Sequence, residues 1–155
     1  MALEIERKFL LTNDAWKERV SRTVRIRQGY LNQARECSVR VRSADGRGWL
    51  NVKSVTIGPQ RREYEYEIPF ADAEEMLDSL CQRPLIEKVR HFVPQGHHVW
   101  EIDVFEGDNE GLVVAEIELN HAEEIFDRPP WIGREVTDDP RYYNTCLVRN
   151  PFKNW

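Results

Sequence analysis

The chain has 155 residues, with 22 Lys and Arg against 27 Asp and Glu and a formal net charge of −5. That length predicts one domain, residues 1–155, which buries about two-thirds of the unfolded chain's surface. No apolar run approaches the roughly 20 residues of a transmembrane helix, and the charged first ten residues do not resemble a signal peptide. Three cysteines without CxxC spacing exclude a zinc ribbon or disulfide scaffold. We expect a cytoplasmic protein that binds neither membranes nor nucleic acid.

Alternation of charged and apolar residues with a period of two predicts eight β-strands. The predicted strands are Leu3–Leu10, Thr23–Asn32, Ser38–Ser43, Trp49–Ser54, Arg62–Ile68, Leu85–Val93, His98–Phe105 and Val113–Leu119. Short turns at Asp45-Gly46 and Gly58-Pro59 join neighbouring strands, which predicts that these neighbours run antiparallel. The pattern indicates a mainly β protein (α+β), built as a β-barrel or a strongly curved sheet.

Three segments predict helices beside or at one end of this sheet. Ala73–Leu80 has apolar residues on one face, with a capping box formed by Asp72 and Glu75. Asn13–Val20 predicts a short helical turn. Asp139 is expected to cap a helix that has Pro140 at its first position and continues to about residue 148.

The polar face of the predicted sheet is charged, and the sign of the charge is sorted by strand. The pairs or triplets at alternate positions are Glu4, Glu6 and Lys8; Arg25 and Arg27; Arg40 and Arg42; Asn51 and Lys53; Glu63, Glu65 and Glu67; Lys88 and Arg90; Glu101 and Asp103; and Glu116 and Glu118. Grouped carboxylates suit a hard cation such as Mg²⁺ or Mn²⁺, and grouped Lys and Arg suit phosphate. The alternative is a solvated outer face whose cross-strand salt bridges protect the sheet.

The motifs and their order resemble the CYTH family, the triphosphate tunnel metalloenzymes. The residues that carry the resemblance are the ExExK segment Glu4-Ile5-Glu6-Arg7-Lys8, then Arg40-x-Arg42, Lys53, Arg62-Glu63-x-Glu65-x-Glu67, Lys88-x-Arg90, Glu101-x-Asp103, Glu116-x-Glu118 and the closing segment 133–144. The resemblance covers essentially the whole chain. It implies an eight-stranded antiparallel β-barrel, with flanking helices and a C-terminal helix, whose charged face points inward.

The resemblance also implies roles for individual residues. The implied substrate-binding residues are Lys8, Arg40, Arg42, Lys53, Lys88 and Arg90. The implied metal ligands for Mg²⁺ or Mn²⁺ are Glu4, Glu6, Glu116 and Glu118, supported by Asp103 and by Glu63 or Glu65. The expected catalytic residues are Lys8, Glu6 and Asp103, with Lys8 acting as an electrostatic clamp. Many relatives have Lys where this chain has Pro140, which leaves the substrate preference open.

The leading hypothesis is a metal-dependent triphosphatase that hydrolyses inorganic tripolyphosphate to pyrophosphate and phosphate. One alternative is an enzyme acting on an organic triphosphate: a nucleoside triphosphatase, a thiamine triphosphatase or an adenylate cyclase. A second is a polyphosphate- or nucleotide-binding module without turnover, and a third is a structural barrel without a ligand. The expected partner is a small-molecule triphosphate, and the sequence is compatible with either a monomer or a homodimer.

Overall fold

The computed structural model describes residues 2–34, 36–55 and 59–155, which form nine β-strands and two α-helices. They are β1 (Ala2–Leu11), β2 (Arg22–Gln33), β3 (Cys37–Ala44), β4 (Arg47–Ser54), β5 (Gln60–Ile68), α1 (Phe70–Ser79), β6 (Ile86–Gln95), β7 (His98–Phe105), β8 (Val113–Glu118), β9 (Ile132–Glu135) and α2 (Asn144–Arg149). The eight predicted strands are confirmed, and β9 is an additional strand. In the predicted turn Gly58-Pro59, Gly58 lies outside the described residues.

Eight strands close into an antiparallel barrel in the order β1-β5-β4-β3-β2-β6-β7-β8, with β8 pairing back onto β1. β1 pairs in turn with β5, β8 and β9 along its length. The barrel prediction is therefore confirmed. Closure pairs each barrel strand on both sides, so the interior is a space enclosed by side chains.

The strand registers determine which residues share the inner face, because directly paired residues point to the same side of a sheet. The pairs that bring charged or polar residues together on this face include Lys8 with Glu116, Arg90 with Asp103, Arg40 with Asn51, and Lys53 with Glu63. The charged face predicted from the sequence is thus the inner face of the barrel. A solvated outer face is ruled out for these residues.

The outer face of the barrel is apolar and is covered by other parts of the chain. Ala73 and Leu77 of α1 are fully buried against Val41 of β3. On the opposite side, Phe9 and Trp100 are fully buried and meet edge to face, with ring centroids 5.5 Å apart. Burying a side chain such as Leu77 or Phe9 contributes about 1.5–3 kcal/mol. This cover makes it possible for the other face of the same strands to be charged.

One end of the barrel interior is apolar and is filled by the C-terminal part of the chain. Tyr30, Ile86, Phe105 and Leu112 pack there against Leu147 of α2. The charged section of the interior therefore has an apolar floor on the side of α2.

The helix predictions need two corrections. α1 begins at Phe70 with Pro69 at its N-cap and no side-chain cap, so the predicted capping box of Asp72 and Glu75 is wrong. Asp139 does accept a hydrogen bond from the Arg141 backbone N–H, but the helix that it caps is a single 3₁₀ turn, Pro140–Tyr142. The extended backbone of Tyr143 separates this turn from α2, so the continuous C-terminal helix is also wrong.

The predicted turn at 13–20 is a 3₁₀ helix, Ala15–Arg19, which buries Trp16. Neither α1 nor α2, nor any other helix in the described part of the chain, has the length and hydropathy that a bilayer-spanning segment requires.

Candidate active site inside the barrel

The charged part of the interior is a cavity of about 210 Å³. Among the described residues, seven acidic and seven basic side chains line it. They are Glu4, Glu6, Glu63, Glu65, Glu101, Glu116 and Glu118, and Lys8, Arg40, Arg42, Lys53, Arg61, Lys88 and Arg90. A cavity lined mainly by charged side chains of both signs suits a small, highly charged ligand rather than an apolar one.

The strand order divides this cavity into an acidic half and a basic half. The seven lining carboxylates lie on β7, β8, β1 and β5, which are consecutive around the barrel. The other four strands, β4, β3, β2 and β6, carry five of the seven cations. Lys8 on β1 and Arg61 on β5 are the two cations within the acidic half. β3, with Arg40 and Arg42, lies four strands from β8 and therefore faces Glu116 and Glu118 across the barrel.

Lys8 is the cation at the centre of the acidic half. Its Nζ lies 2.8 Å from Glu116 Oε1 and 3.3 Å from Glu6 Oε1. Burial acts to lower the pKa of Lys8, but attraction to Glu116 and Glu6 outweighs burial and raises it. Burial likewise acts to raise the pKa of Glu116, and the charges of Lys8, Arg90 and Lys88 hold it well below its usual range. The pair is ionised at neutral pH.

Two further cations, Lys53 and Arg61, form ion pairs with carboxylates of β1 and β5. Lys53 Nζ lies 2.9 Å from Glu4 Oε2 and 3.5 Å from Glu63 Oε2. Arg61 Nη2 lies 3.7 Å from Glu4 and 3.9 Å from Glu6. Burial and the nearby charges of Arg40 and Arg61 lower the pKa of Lys53 to about 8. Its ammonium is therefore less firmly held than that of Lys8.

Asp103 lies in the wall of the barrel and does not line the cavity among the described residues. It is fully buried, with Lys88 Nζ 2.7 Å from Oδ2 and Arg90 Nε 2.8 Å from Oδ1. Burial acts to raise the pKa of Asp103, but Arg90 and Lys88 outweigh burial and lower it. This carboxylate anchors the two cations of β6 on the cavity surface.

The two arginines of β3 have no carboxylate partner among the described residues. Arg40 is 8% exposed, and its Nε has no hydrogen-bond acceptor within residues 2–34, 36–55 and 59–155. Arg42 donates from Nε and Nη2 to the neutral Oε1 of Gln28, at 3.1 and 3.0 Å. Burial, followed by the charges of Arg40 and Arg90, lowers the pKa of Arg42 to about 9. Buried cations without a counter-charge are stabilised by an incoming anion, so these two arginines could bind an anion in the cavity.

The carboxylates of the acidic half repel one another. Glu6 and Glu118 are direct cross-strand partners, an arrangement that destabilises a sheet when both side chains are charged. Burial, followed by the charge of Glu116, raises the pKa of Glu6. Burial, followed by the charges of Glu4 and Glu101, raises the pKa of Glu118. A divalent cation bound between these carboxylates would reduce this repulsion.

The donor set fits a metal ion that is shared with a bound phosphate. Within the part of the chain that the structure describes, no group of three His, Cys, Asp or Glu side chains is arranged to hold a metal on its own. Mg²⁺ in proteins is commonly held by one or two carboxylates together with phosphate oxygens and water. The carboxylates of Glu6, Glu116 and Glu118 could supply the first part of such a set, and a phosphate ligand would supply the rest.

The structure brings nearly all of the sequence-predicted site residues together. The residues predicted to bind substrate all line the cavity, as do the predicted metal ligands with the exception of Asp103. Arg25 and Arg27, which share the charge pattern, lie outside the barrel and pair with Glu106 and Glu74. Glu67, the last charged residue of β5, is half exposed and pairs with Arg47 away from the cavity.

Several lining residues were not predicted. Arg61 extends the alternation of Glu63 and Glu65 by one step, so a fifth strand that begins one residue before Arg62 includes it. Glu101 was recognised as part of the charge pattern but was not assigned a role. The neutral lining residues are Tyr30, Pro59, Thr137, Tyr143, Asn144 and Thr145. They have no charge pattern by which the sequence could indicate them.

The segment after β9 reaches the cavity through hydrogen bonds to β1. The Lys8 backbone N–H donates to Thr137 Oγ1 at 3.0 Å, and this hydroxyl donates to Glu135 Oε2 at 2.6 Å. Arg7 Nε donates to the same carboxylate oxygen of Glu135 at 2.8 Å. These contacts fix Thr137 beside Lys8, and Tyr143 follows six residues later with its hydroxyl bonded to the Thr137 carbonyl.

Comparison with known proteins agrees with this geometry. The family model described as the CYTH domain matches residues 2–143. The chain is 50% identical over 155 residues to an inorganic triphosphatase of Acetivibrio thermocellus, covering 100% of this chain and 99% of that protein. It is 36% identical over 150 residues to an inorganic triphosphatase of Nitrosomonas europaea, with 94% and 96% covered. A crystal structure of an inorganic triphosphatase superposes with a TM-score of 0.67 at 32% identity, covering 96% of this chain and 95% of that one.

Proposed function

Because the chain belongs to the CYTH domain family, we propose that it is an inorganic triphosphatase, which hydrolyses tripolyphosphate to pyrophosphate and phosphate with a divalent metal. The observation that carries the proposal is the division of one enclosed cavity into an acidic half and a basic half. Such a cavity can bind a linear polyanion and a cation side by side. The names of the two similar triphosphatases support the same reaction.

The basic half binds the phosphate chain. Arg40 and Arg42 lack carboxylate partners among the described residues, so they are the cations most available to phosphate oxygens. Guanidinium groups can contact phosphate through two parallel hydrogen bonds. Lys53, Lys88 and Arg90 add charge on either side of β3. Together these residues hold the substrate in a fixed line, which phosphoryl transfer requires.

The acidic half holds the metal, which we propose to be Mg²⁺ or Mn²⁺ because both prefer oxygen ligands. The proposed ligands are Glu4, Glu6, Glu116 and Glu118, with Glu63 or Glu65 in support. When bound, the metal supplies charge neutralisation of the phosphate oxygens and polarisation of the attacking water. Asp103 supports the site from within the wall, by holding Lys88 and Arg90 in place.

Lys8 acts between the two halves. Its ammonium faces the cavity between Glu6 and Glu116, and its raised pKa keeps it charged throughout the neutral range. It therefore serves as an electrostatic clamp on the phosphoryl group that water attacks, and it does not serve as a base. In the reaction, the water oxygen forms a bond to the terminal phosphorus while the bridging P–O bond breaks and pyrophosphate leaves with the electron pair of that bond; the proton that the water loses passes to the solvent.

The size of the cavity favours an inorganic substrate over an organic triphosphate. Its volume of about 210 Å³ is below the roughly 300–1,000 Å³ of pockets that enclose drug-sized molecules. Tyr30 and Tyr143 are the aromatic side chains among the described lining residues. Tyr30 packs in the apolar floor beside α2, so it is not placed as a stacking platform for a base.

Phosphate release should be measured from tripolyphosphate, ATP and thiamine triphosphate in parallel, each with Mg²⁺, Mn²⁺ or EDTA. We expect rapid release from tripolyphosphate with metal, at least about 100-fold slower release from the organic triphosphates, and none above background in EDTA. Faster turnover of ATP or thiamine triphosphate would replace the inorganic substrate by an organic one. Tripolyphosphate that raises the melting temperature but is not hydrolysed would indicate a binding module.

A further inference from the structure

Gln28 is a fully buried polar residue to which the proposed reaction assigns no role. It lies on β2, the strand at the centre of the basic half, and it is fully buried. Its direct cross-strand partners are Arg42 on β3 and Ile86 on β6. A neutral residue therefore occupies the position between the two strands that bring most of the phosphate-binding charge.

Both ends of the Gln28 amide are used. Oε1 accepts from Arg42 Nε and Nη2, at 3.1 and 3.0 Å. Nε2 donates to Asn144 Oδ1 at 2.9 Å, and the same oxygen accepts from Lys88 Nζ at 3.1 Å. A chain of hydrogen bonds thus runs from Arg42 through Gln28 and Asn144 to Lys88.

The neutral amide of Gln28 leaves the positive charge of Arg42 unpaired among the described residues, and a carboxylate at the same position would not. A carboxylate facing the Nε and Nη2 edge of Arg42 would form a bidentate ion pair and neutralise the guanidinium. It would also lose the N–H that Asn144 accepts. An apolar side chain would leave the Arg42 donors buried without an acceptor, and such an unsatisfied group costs about 1–3 kcal/mol. An amide orients Arg42 and leaves its positive charge to the substrate.

We propose that Gln28 is a positioning residue for substrate binding, which holds Arg42 and, through Asn144, Lys88 against the phosphate chain without neutralising either cation. This inference rests on the proposed function for the identity of the ligand, inorganic tripolyphosphate. It concerns binding, so it is tested by the dissociation constant as well as by turnover.

The test compares Gln28→Glu with Gln28→Met in the full-length protein. For Gln28→Glu we expect a KM for tripolyphosphate at least about tenfold higher, with kcat changed less than about threefold, since one hydrogen bond to a charged group is worth about one decade. The melting temperature should be unchanged or higher because Arg42 gains a counter-charge. Gln28→Met leaves the charge of Arg42 without a counter-charge at position 28 but removes the hydrogen bonds that orient its guanidinium. We expect the KM of this variant to rise about threefold to tenfold. The control is Gln82→Glu, the same change at an exposed position, which should leave KM unchanged.

A double-mutant cycle with Arg42→Met tests whether Gln28 acts through Arg42. We expect the effect of Gln28→Glu on KM to largely disappear when Arg42 is already absent. Additive effects would overturn the inference, as would an unchanged KM in Gln28→Glu. Loss of folded protein in both Gln28 variants would also overturn it, in favour of a packing role.

Calorimetric titration of inorganic tripolyphosphate into the metal-free protein separates this inference from the proposed function. We expect the dissociation constant to rise in Gln28→Glu by the same factor as KM. If the wild-type protein binds tripolyphosphate but does not hydrolyse it, the proposed reaction fails while the dissociation constants still decide the role of Gln28. If Gln28→Glu binds tripolyphosphate as tightly as the wild type does, the role of Gln28 fails while the reaction stands.

Discussion

Lys8→Met is expected to lower kcat/KM for tripolyphosphate by at least about 100-fold, the loss typical of removing one preorganised electrostatic group from an active site. The physical reason is the position of the Lys8 ammonium, 2.8 Å from Glu116 and facing the cavity. Initial rates of phosphate release at saturating metal measure the effect. A Lys8→Met protein that is folded and retains more than half of the wild-type activity would contradict the assignment of Lys8 as the clamp.

The same substitution should also destabilise the fold. Without Lys8, the cations that remain near the buried carboxylate of Glu116 among the described residues are more distant, such as Arg90, whose Nη2 is 3.7 Å away. Removing one partner of a buried ion pair costs about 3 kcal/mol or more. The pKa of Glu116 is depressed in the folded protein, so the stability that its ion pair contributes is present at neutral pH and lost as pH falls through that depressed pKa. The deficit of Lys8→Met, measured by urea unfolding, should therefore shrink at acid pH.

Two further variants separate charge from structure at this position. Lys8→Arg keeps the positive charge but presents a wider, planar group, so we expect near-normal stability with a clear loss of kcat. Lys17→Met removes an exposed lysine that pairs with Asp14 at the surface. Surface pairs contribute little, so this control should match the wild type in both rate and stability.

Glu118→Gln is expected to lower activity at limiting metal by about 100-fold while making the metal-free protein more stable. Glu118 lies directly opposite Glu6, and the strongest charges acting on it belong to Glu4, Glu101 and Glu6, all of which raise its pKa. Removing a like charge from such a pair stabilises a sheet by up to about 1 kcal/mol, or roughly 2–4 °C in melting temperature at this chain length. Melting in EDTA and phosphate release across a metal titration measure the two effects.

The gain in stability should depend on pH. Because the pKa of Glu118 is raised in the folded protein, wild-type stability falls as pH rises through the interval between its unfolded and folded pKa. The melting temperatures of Glu118→Gln and wild type should therefore agree below that interval and separate above it. Saturating Mn²⁺ should remove the difference or reverse it. A metal-free variant that melts lower than wild type at neutral pH would contradict the repulsion argument.

The eight barrel strands and most of the cavity lining could be predicted from sequence because one signal serves both. Charged residues at alternate positions of a strand identify the strand and its inner face at the same time. β9 was missed because it has four residues, one of them Gly133, and follows Pro129-Pro130. Arg61 was missed because the fifth strand was begun one residue too late to include it.

The neutral part of the site could not be predicted from sequence. Gln28, Thr137 and Asn144 acquire their roles from strand register and from the path of the chain after β9, both of which are tertiary features. The break before α2 has the same origin, because Tyr143 adopts an extended backbone while its hydroxyl donates to the Thr137 carbonyl. Asp103 shows the opposite case, since its charge pattern indicated a cavity residue and the structure places it in the wall.

A crystal structure with Mn²⁺ and a non-hydrolysable imido analogue of tripolyphosphate tests most directly whether tripolyphosphate and metal bind together inside the barrel. We expect phosphate oxygens within about 3 Å of Arg40 and Arg42. We also expect an anomalous Mn²⁺ peak bridging a phosphate oxygen and the carboxylates of Glu6, Glu116 or Glu118. An analogue bound on the outer surface, or Mn²⁺ located away from these carboxylates with the cavity empty, would contradict the account.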